Sequence, residues 1–341
     1  MKFIKKILIA ALSLLLAMVM VACNNKSGSN NSTPAEPTDI VTDNGLTLQL
    51  KDDNTYTIVS CSGESTSLVI PKTHNGIDIT SIATGSFDNC SNITNISIPN
   101  TIVTIEREAF KGCTGLLEIE IPFVGSDLNR MESGRFDYIF GDSVPLSLKK
   151  VIVTGGTQIG AWAFGNCYSL DSIILPDGLT EIGMEAFENC WGLDSIVIPD
   201  SVTEMGGYIL KGCTSIKSIT IPFVGSPSYT KPIAALFDED WDDFMLGLWD
   251  VPASLENVTF TKITEISTFM FNNCGNVKSI TIPTTLEKIA GGVYTLPYNS
   301  ILDIHYQGTT AQWTAIDKET NWAAGVEDYT IHCVDGIITK Q

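Results

Sequence analysis

One interval dominates this sequence. Cysteines fall at 90, 113, 167, 190, 213 and 274; three of the five gaps are 23 residues and the others are 54 and 61. A fixed period of this size points to stacked copies of one small unit and has to be read before anything else. With Cys90 as zero, Ile93, Ile96, Ile98, Pro99, Ile102, Ile105, Ala109 and Phe110 stand at +3, +6, +8, +9, +12, +15, +19 and +20. From Cys167 the same offsets give Leu170, Ile173, Leu175, Pro176, Leu179, Ile182, Ala186 and Phe187. From Cys190 they give Leu193, Ile196, Ile198, Pro199, Val202, Met205, Ile209 and Leu210. Cys274 opens a further copy through Val277, Ile280, Ile282, Pro283, Leu286 and Ile289.

Each offset has a physical meaning. Positions +6 and +8 share one side of a short strand and +5 and +7 the other. Proline at +9 has no N–H for a ladder, so the strand ends there. The apolar residues at +12, +15, +19 and +20 line a return path around the same core. The residue before each cysteine is Asn89, Gly112, Asn166, Asn189, Gly212 or Asn273, the two types that best tolerate positive φ, which predicts a left-handed bend in every coil. One coil cannot bury its apolar side alone; stacked coils can, with their strands side by side in a parallel sheet at about 4.8 Å.

The long gaps read as modified coils. Ile121-Pro122-Phe123-Val124-Gly125-Ser126 recurs as Ile221-Pro222-Phe223-Val224-Gly225-Ser226, and each copy leads into an irregular insert, at about 123–147 and 223–254, expected to bulge from one edge. Leu148 to Phe164 and Leu255 to Phe271 then share a spacing of 16, so the larger unit is duplicated too. The repeats occupy 45–300. Leu46–Leu50 and Thr55–Ser60 alternate around Asp52-Asp53-Asn54, a hairpin expected to cap the first coil. From 301 to 341 the repeat is lost, and Tyr306, Trp313, Trp322 and Tyr329 offer bulk to cover the other end.

The N-terminus reads as an address. Lys2, Lys5 and Lys6 precede an apolar run, Ile7 to Ala22, shorter than a bilayer span, as in an export signal over 1–22. Met20-Val21-Ala22-Cys23 resembles a lipobox, which makes Cys23 an acylation site; an ordinary secretory signal with an incidental cysteine is the plainer alternative. Residues 23–44, rich in Asn, Ser, Thr and Pro, read as a flexible tether. Removing 1–22 leaves 17 basic residues against 39 acidic ones. That balance argues against nucleic acid, and against basic docking on anionic lipid, leaving the N-terminal acyl chain as the membrane contact.

Ile-x-Ile-Pro followed by Ile-x-x-x-Ala-Phe-x-x-Cys, clearest at 90–113, 167–190 and 190–213, resembles the BspA-type leucine-rich repeats of bacterial surface proteins. Ser67-Leu68-Val69-Ile70-Pro71 with Asn75-Gly76 resembles the family's entry coil. The stretches Tyr306–Trp313 and His332-Cys333-Val334-Asp335-Gly336 resemble its endings. The likeness spans about 45–341; the two inserts, and Ile209-Leu210 in place of Ala-Phe, depart from it. It implies a right-handed leucine-rich-repeat solenoid with a parallel sheet on one face and irregular return segments. It also implies exposure at a bacterial surface, with adhesion to extracellular or host proteins.

Site chemistry is sparse. Six cysteines at one register have parallel Cβ vectors, poor for disulfides, so a buried thiol ladder is preferred over a disulfide framework, with Cys61 and Cys333 near the caps open to oxidation. No zinc-type Cys spacing occurs. Asp238, Glu239, Asp240, Asp242 and Asp243 lack the EF-hand spacing and glycine, so a solvated acidic loop is preferred over a calcium site. Trp241, Phe244 and Trp249 in the same insert either pack onto the coils or contact a partner. His74, His305 and His332 are far apart and no nucleophile or phosphate motif is present, so neither an enzyme nor a cofactor is expected. The remaining candidate is the outward side of the strands: Asn95 and Ser97, Glu118 and Glu120, Ser172 and Ile174, Ser195 and Val197, Ser218 and Thr220, Ser279 and Thr281. This is either a solvated face or a broad surface for an extracellular protein or glycan bound by a monomer. A structural role in the envelope is the competing expectation.

Overall fold

The computed structural model describes residues 40–42, 44–62, 64–88, 90–126, 134–141, 143–226, 229–238, 251–292, 294–298 and 301–340. Cys23, Glu239–Asp243, Trp241, Phe244 and Trp249 lie outside them.

The spacing of apolar residues becomes a ladder. Ser67–Val69, Asn95–Ser97, Glu118–Ile121, Lys150–Val153 and Ser172–Ile174 pair in parallel, aligning Leu68, Ile96, Ile119, Val151 and Ile173. Ser195–Val197, Ser218–Ile221, Asn257–Phe260, Ser279–Ile282, Ile301–Tyr306 and Asp328–Cys333 continue it, aligning Ile196, Ile219, Val258, Ile280, Ile304 and Ile331. Both rows are buried. The register resolves the long gaps. Glu118 aligns with Lys150 and then Ser172, and Ser218 with Asn257 and then Ser279, so each long gap holds two coils.

The return path carries its own ladders. Two-residue strands align Ile159, Ile182 and Met205 at one place and Ile266, Ile289 and Lys318 at another. Phe87 stacks on Phe110 (4.6 Å) and Phe164 on Phe187 (5.7 Å). Between them, where a coil lacks Ala-Phe, the first insert supplies a 3₁₀ turn, Phe136–Phe140, whose Phe136 sits 5.3 Å from Phe164 and whose Phe140 sits 6.2 Å from Phe110. Ile233–Leu236 does the same in the second insert, Leu236 O accepting from Leu210 N at 2.8 Å. The described ends of the inserts fill the core, because their phenylalanines and aliphatics continue its columns, while 127–133 and 239–250, where the expected bulge falls, lie outside the described residues.

The predicted left-handed bend is present at Asn166 (φ 64°), Asn189 (57°), Gly212 (73°) and Asn273 (60°). Gly112 departs from it: its φ is not left-handed, and glycine is needed because a Cβ there would lie 2.1 Å from the Asp88 carbonyl oxygen. A second left-handed row, without a sequence signal, runs through Glu108, Trp162, Glu185, Tyr208, Phe269 and Tyr294. These residues hold a costly backbone conformation. Hydrogen bonds to a neighbouring coil help hold it, such as Glu185 N to Gly207 O (3.1 Å) and Tyr208 N to Ala235 O (3.0 Å).

The N-cap is an antiparallel hairpin, Leu46–Leu50 with Tyr56–Cys61, its turn fixed by Asp53 accepting from Thr55 N (3.0 Å). The tail differs from expectation. Its sequence repeat is lost, yet Ile301–Tyr306 and Asp328–Cys333 extend the ladder, and the antiparallel strand Gly336–Thr339 ends it. Alternating apolar residues suffice for a strand without the rest of the motif. Tyr306, Trp313, Trp322 and Tyr329 form a continuous series across the end, edge-to-face at the first two contacts and tilted at the third.

The eight cysteines from Cys61 to Cys333 are thiols, not disulfides, and all but Cys333 are buried. The thiols of Cys190 and Cys213 donate to the Phe164 and Phe187 carbonyls, at 3.3 and 3.2 Å, so sulfur stitches one coil to the next. Burial pushes Cys113 up to about 12, and pushes Cys213 and Cys274 upward too; Cys190 rises chiefly through its hydrogen bond with Cys167. The native ladder is therefore expected to resist iodoacetamide at pH 8 while the guanidinium-unfolded chain reacts, as mass spectrometry would report. A raised folded pKa stabilises below the unfolded value. Thermal stability should hence fall as pH climbs from about 9 towards 12.

Candidate ligand-binding face

Because side chains alternate along a strand, every ladder strand that buries its central isoleucine presents its neighbours outward. Asn95, Glu118, Lys150 and Ser172 form the first outer column of one half, and Ser195, Ser218, Asn257 and Ser279 that of the other. The second column runs Ser97, Glu120, Ile152, Ile174 in one half and Val197, Thr220, Thr259, Thr281 in the other. Sequence reading missed Lys150, Ile152, Asn257 and Thr259 because Pro145 and Pro252 stand where the marker cysteine should. The 16-residue spacings from Leu148 and Leu255 would have located them. It also missed Asp303, His305, Thr330 and His332 in the tail, which complete the face.

The charges on this face are paired. Lys150 meets Glu118 (3.2 Å), Lys149 meets Asp171 (3.4 Å), Lys217 meets Asp194 (3.0 Å) and Lys278 meets Glu256 (2.6 Å). Ser97 donates to Glu120 at 2.8 Å. Exposed pairs of this kind contribute about 0–1 kcal/mol each, so they order the surface more than they hold the fold.

The ladder opens once among the described residues. Ser172–Ile174 and Ser195–Val197 are sequential coils, yet they share no strand register, and Asp194 N reaches Asp171 O only at 3.4 Å, against 2.8 Å for Asp171 N to Lys149 O and Lys217 N to Asp194 O. Asp171 and Asp194 are the one like-charged junction in their column, each drawn to a lysine on its far side. The Leu175 amide should therefore exchange with deuterium at least about tenfold faster than those of Ile98 and Ile198, which donate to Glu120 O and Thr220 O at 2.9 and 2.8 Å. Equal protection would show a closed junction.

Apolar side chains gather on both sides of this opening. Leu146, Tyr168 and Trp191 occupy the same turn position in three consecutive coils, and Ile152, Ile174 and Val197 the second outer column of those coils. Leu146 is 75% exposed, Val197 59%, Trp191 50% and Ile174 46%. The Tyr168 and Trp191 rings lie 4.4 Å apart, tilted by 40°, and the Tyr168 hydroxyl donates to Asn166 Oδ1 at 3.0 Å. Elsewhere the turn position holds Ser91, Thr114, Thr214, Ala253 or Gly275.

With coil, register and face in place, comparison with known proteins is direct. The family described as BspA type leucine rich repeat region matches in six copies, over residues 59–151, 137–226 and 252–313. This chain belongs to the BspA-type leucine-rich repeat family. No curated protein matches it. Among solved structures it is similar to a T. pallidum leucine rich repeat protein, at 21% identity and TM-score 0.30, covering 78% of this chain and 91% of that one. It is also similar to a leucine rich cell surface protein of Faecalibacterium prausnitzii, at 20% and 0.29, covering 86% and 100%. A leucine-rich repeat protein of Bacteroides ovatus matches at 17% and 0.29, covering 89% and 100%.

Proposed function

We propose that this BspA-type repeat protein is exported, anchored to the bacterial envelope by acylation of Cys23, and binds an extracellular protein through its outer sheet face. The observation that carries the binding reading is the gathering of Leu146, Tyr168, Trp191, Ile152, Ile174 and Val197 in three consecutive coils, exposed or half-buried outside a core already filled by Leu148, Val151, Leu170, Ile173, Leu193 and Ile196. Large apolar groups grouped at a surface mark a contact, and tryptophan and tyrosine are the residues that anchor protein interfaces. A glycan would stack on the Tyr168–Trp191 pair but would leave the aliphatic column uncovered, which favours a protein partner. The anchor reading rests on the order lysines, apolar run, lipobox-like Met20–Cys23 and polar tether.

Protease treatment of intact cells tests location. Cleavage of the repeat without lysis is expected, and release of a Cys23→Ala variant from the membrane. Resistance until lysis would favour a structural envelope role, and membrane retention of Cys23→Ala would contradict the lipid anchor.

A further inference from the structure

Two of the three histidines in the chain, separated by 26 residues, come together on the outer face of the last parallel pair of strands. His305 and His332 are register partners, their rings stacked with centroids 4.8 Å apart and planes 16° from parallel. Asp303 lies two residues before His305 on the same strand and side, and its Oδ1 is 3.2 Å from His332 Nε2. All three side chains are on the solvent side, while Ile304 and Ile331 between them are buried.

We propose that Asp303, His305 and His332 form a binding site for a divalent transition metal of the zinc class. Two imidazoles and a carboxylate suit zinc, nickel and copper, whereas calcium and magnesium select all-oxygen sites. The backbone supplies the preorganisation: Asp303 and His305 are fixed by strand alternation, and His332 by ladder register, so only side-chain rotation is needed. As placed, the three donors do not surround one point. Nitrogen ligands about 2.1 Å from a tetrahedral zinc lie about 3.4 Å apart, so the stacked rings must converge at their tips. Their exposure leaves room for that swing. The bound ion would replace the His332–Asp303 hydrogen bond with bonds to both groups, water filling the open positions. The site is independent of the apolar patch and of the proposed partner.

Calorimetric titration of the full chain with Zn²⁺, with Ca²⁺ as control, tests it. One zinc per chain is expected, and no heat from calcium. His305→Ala and His332→Ala should each weaken zinc binding about tenfold or more. Asp303→Asn should weaken it several-fold, all three variants melting like the parent. Co²⁺ should give a visible spectrum without a thiolate charge-transfer band, separating this site from the buried cysteines. Unchanged affinity in the His305→Ala/His332→Ala double variant, no binding at 100 μM zinc, or a thiolate band would each overturn the proposal.

Discussion

Phe164→Ala is expected to lower stability by about 3–5 kcal/mol and to split thermal unfolding into two transitions. Phe164 is fully buried, 5.7 Å from Phe187 and 5.3 Å from Phe136, and joins ordinary coils to the first insert. Its amide donates to Ala186 O at 2.7 Å and its carbonyl accepts the Cys190 thiol. Truncation removes ring contacts on both sides at once and leaves a cavity that rigid ladders cannot close. In a solenoid each coil touches only its neighbours, so cooperativity is a sum of local interfaces. This interface adjoins the opening of the sheet ladder between Ser172–Ile174 and Ser195–Val197. Weakening it should uncouple the N-terminal coils from those after Cys190. Calorimetry reads the result directly: a single transition at a lowered temperature would show that coupling is not confined to adjacent coils, and an unchanged temperature would show that the Phe164 ring does not hold this interface.

The sequence made the stack visible because a coil that buries one side must repeat its apolar offsets. Ile96 and Ile173 fall in one buried row with Ile119 and Val151, and Ile196 heads the next with Ile219, for that reason. What it hid has physical causes. The coils that start at Pro145 and Pro252 carry proline where the marker cysteine stands elsewhere, so their outer residues were not assigned. The left-handed row at Glu108, Trp162 and Tyr208 is imposed by hydrogen bonds between coils, not by residue preference. Gly112 answers a close approach from Asp88, although its neighbours in the series answer a backbone angle. The tail hid its strands because only the strand pattern survives there. The outward positions of the central coils were readable as strand faces, but the alignment of Ile152 with Ile174 and the contact of Tyr168 with Trp191 needed the structure.

Trp191→Ala should abolish most partner binding without unfolding the protein. Immobilised extracellular-matrix and serum proteins would identify the partner, and surface plasmon resonance would measure it. A centrally placed tryptophan at a protein interface typically carries about 2 kcal/mol or more, which is about 30-fold in affinity. Trp191 is half exposed and lies tilted against Tyr168, so its loss removes little from the core. Val197→Lys should act as strongly by a different route, burying an unpaired ammonium in the contact. Thr281→Lys makes the matched control, because Thr281 shares the outer column with Thr259 but lies beyond the apolar coils. Loss with both central variants and retention with Thr281→Lys would locate the contact at the opening between Ser172–Ile174 and Ser195–Val197. If Thr281→Lys weakened binding as much as Trp191→Ala, the partner would cover the whole face and the central patch would have no special role. If only Trp191→Ala mattered and binding was inhibited by free sugars, a glycan would replace the protein as the ligand.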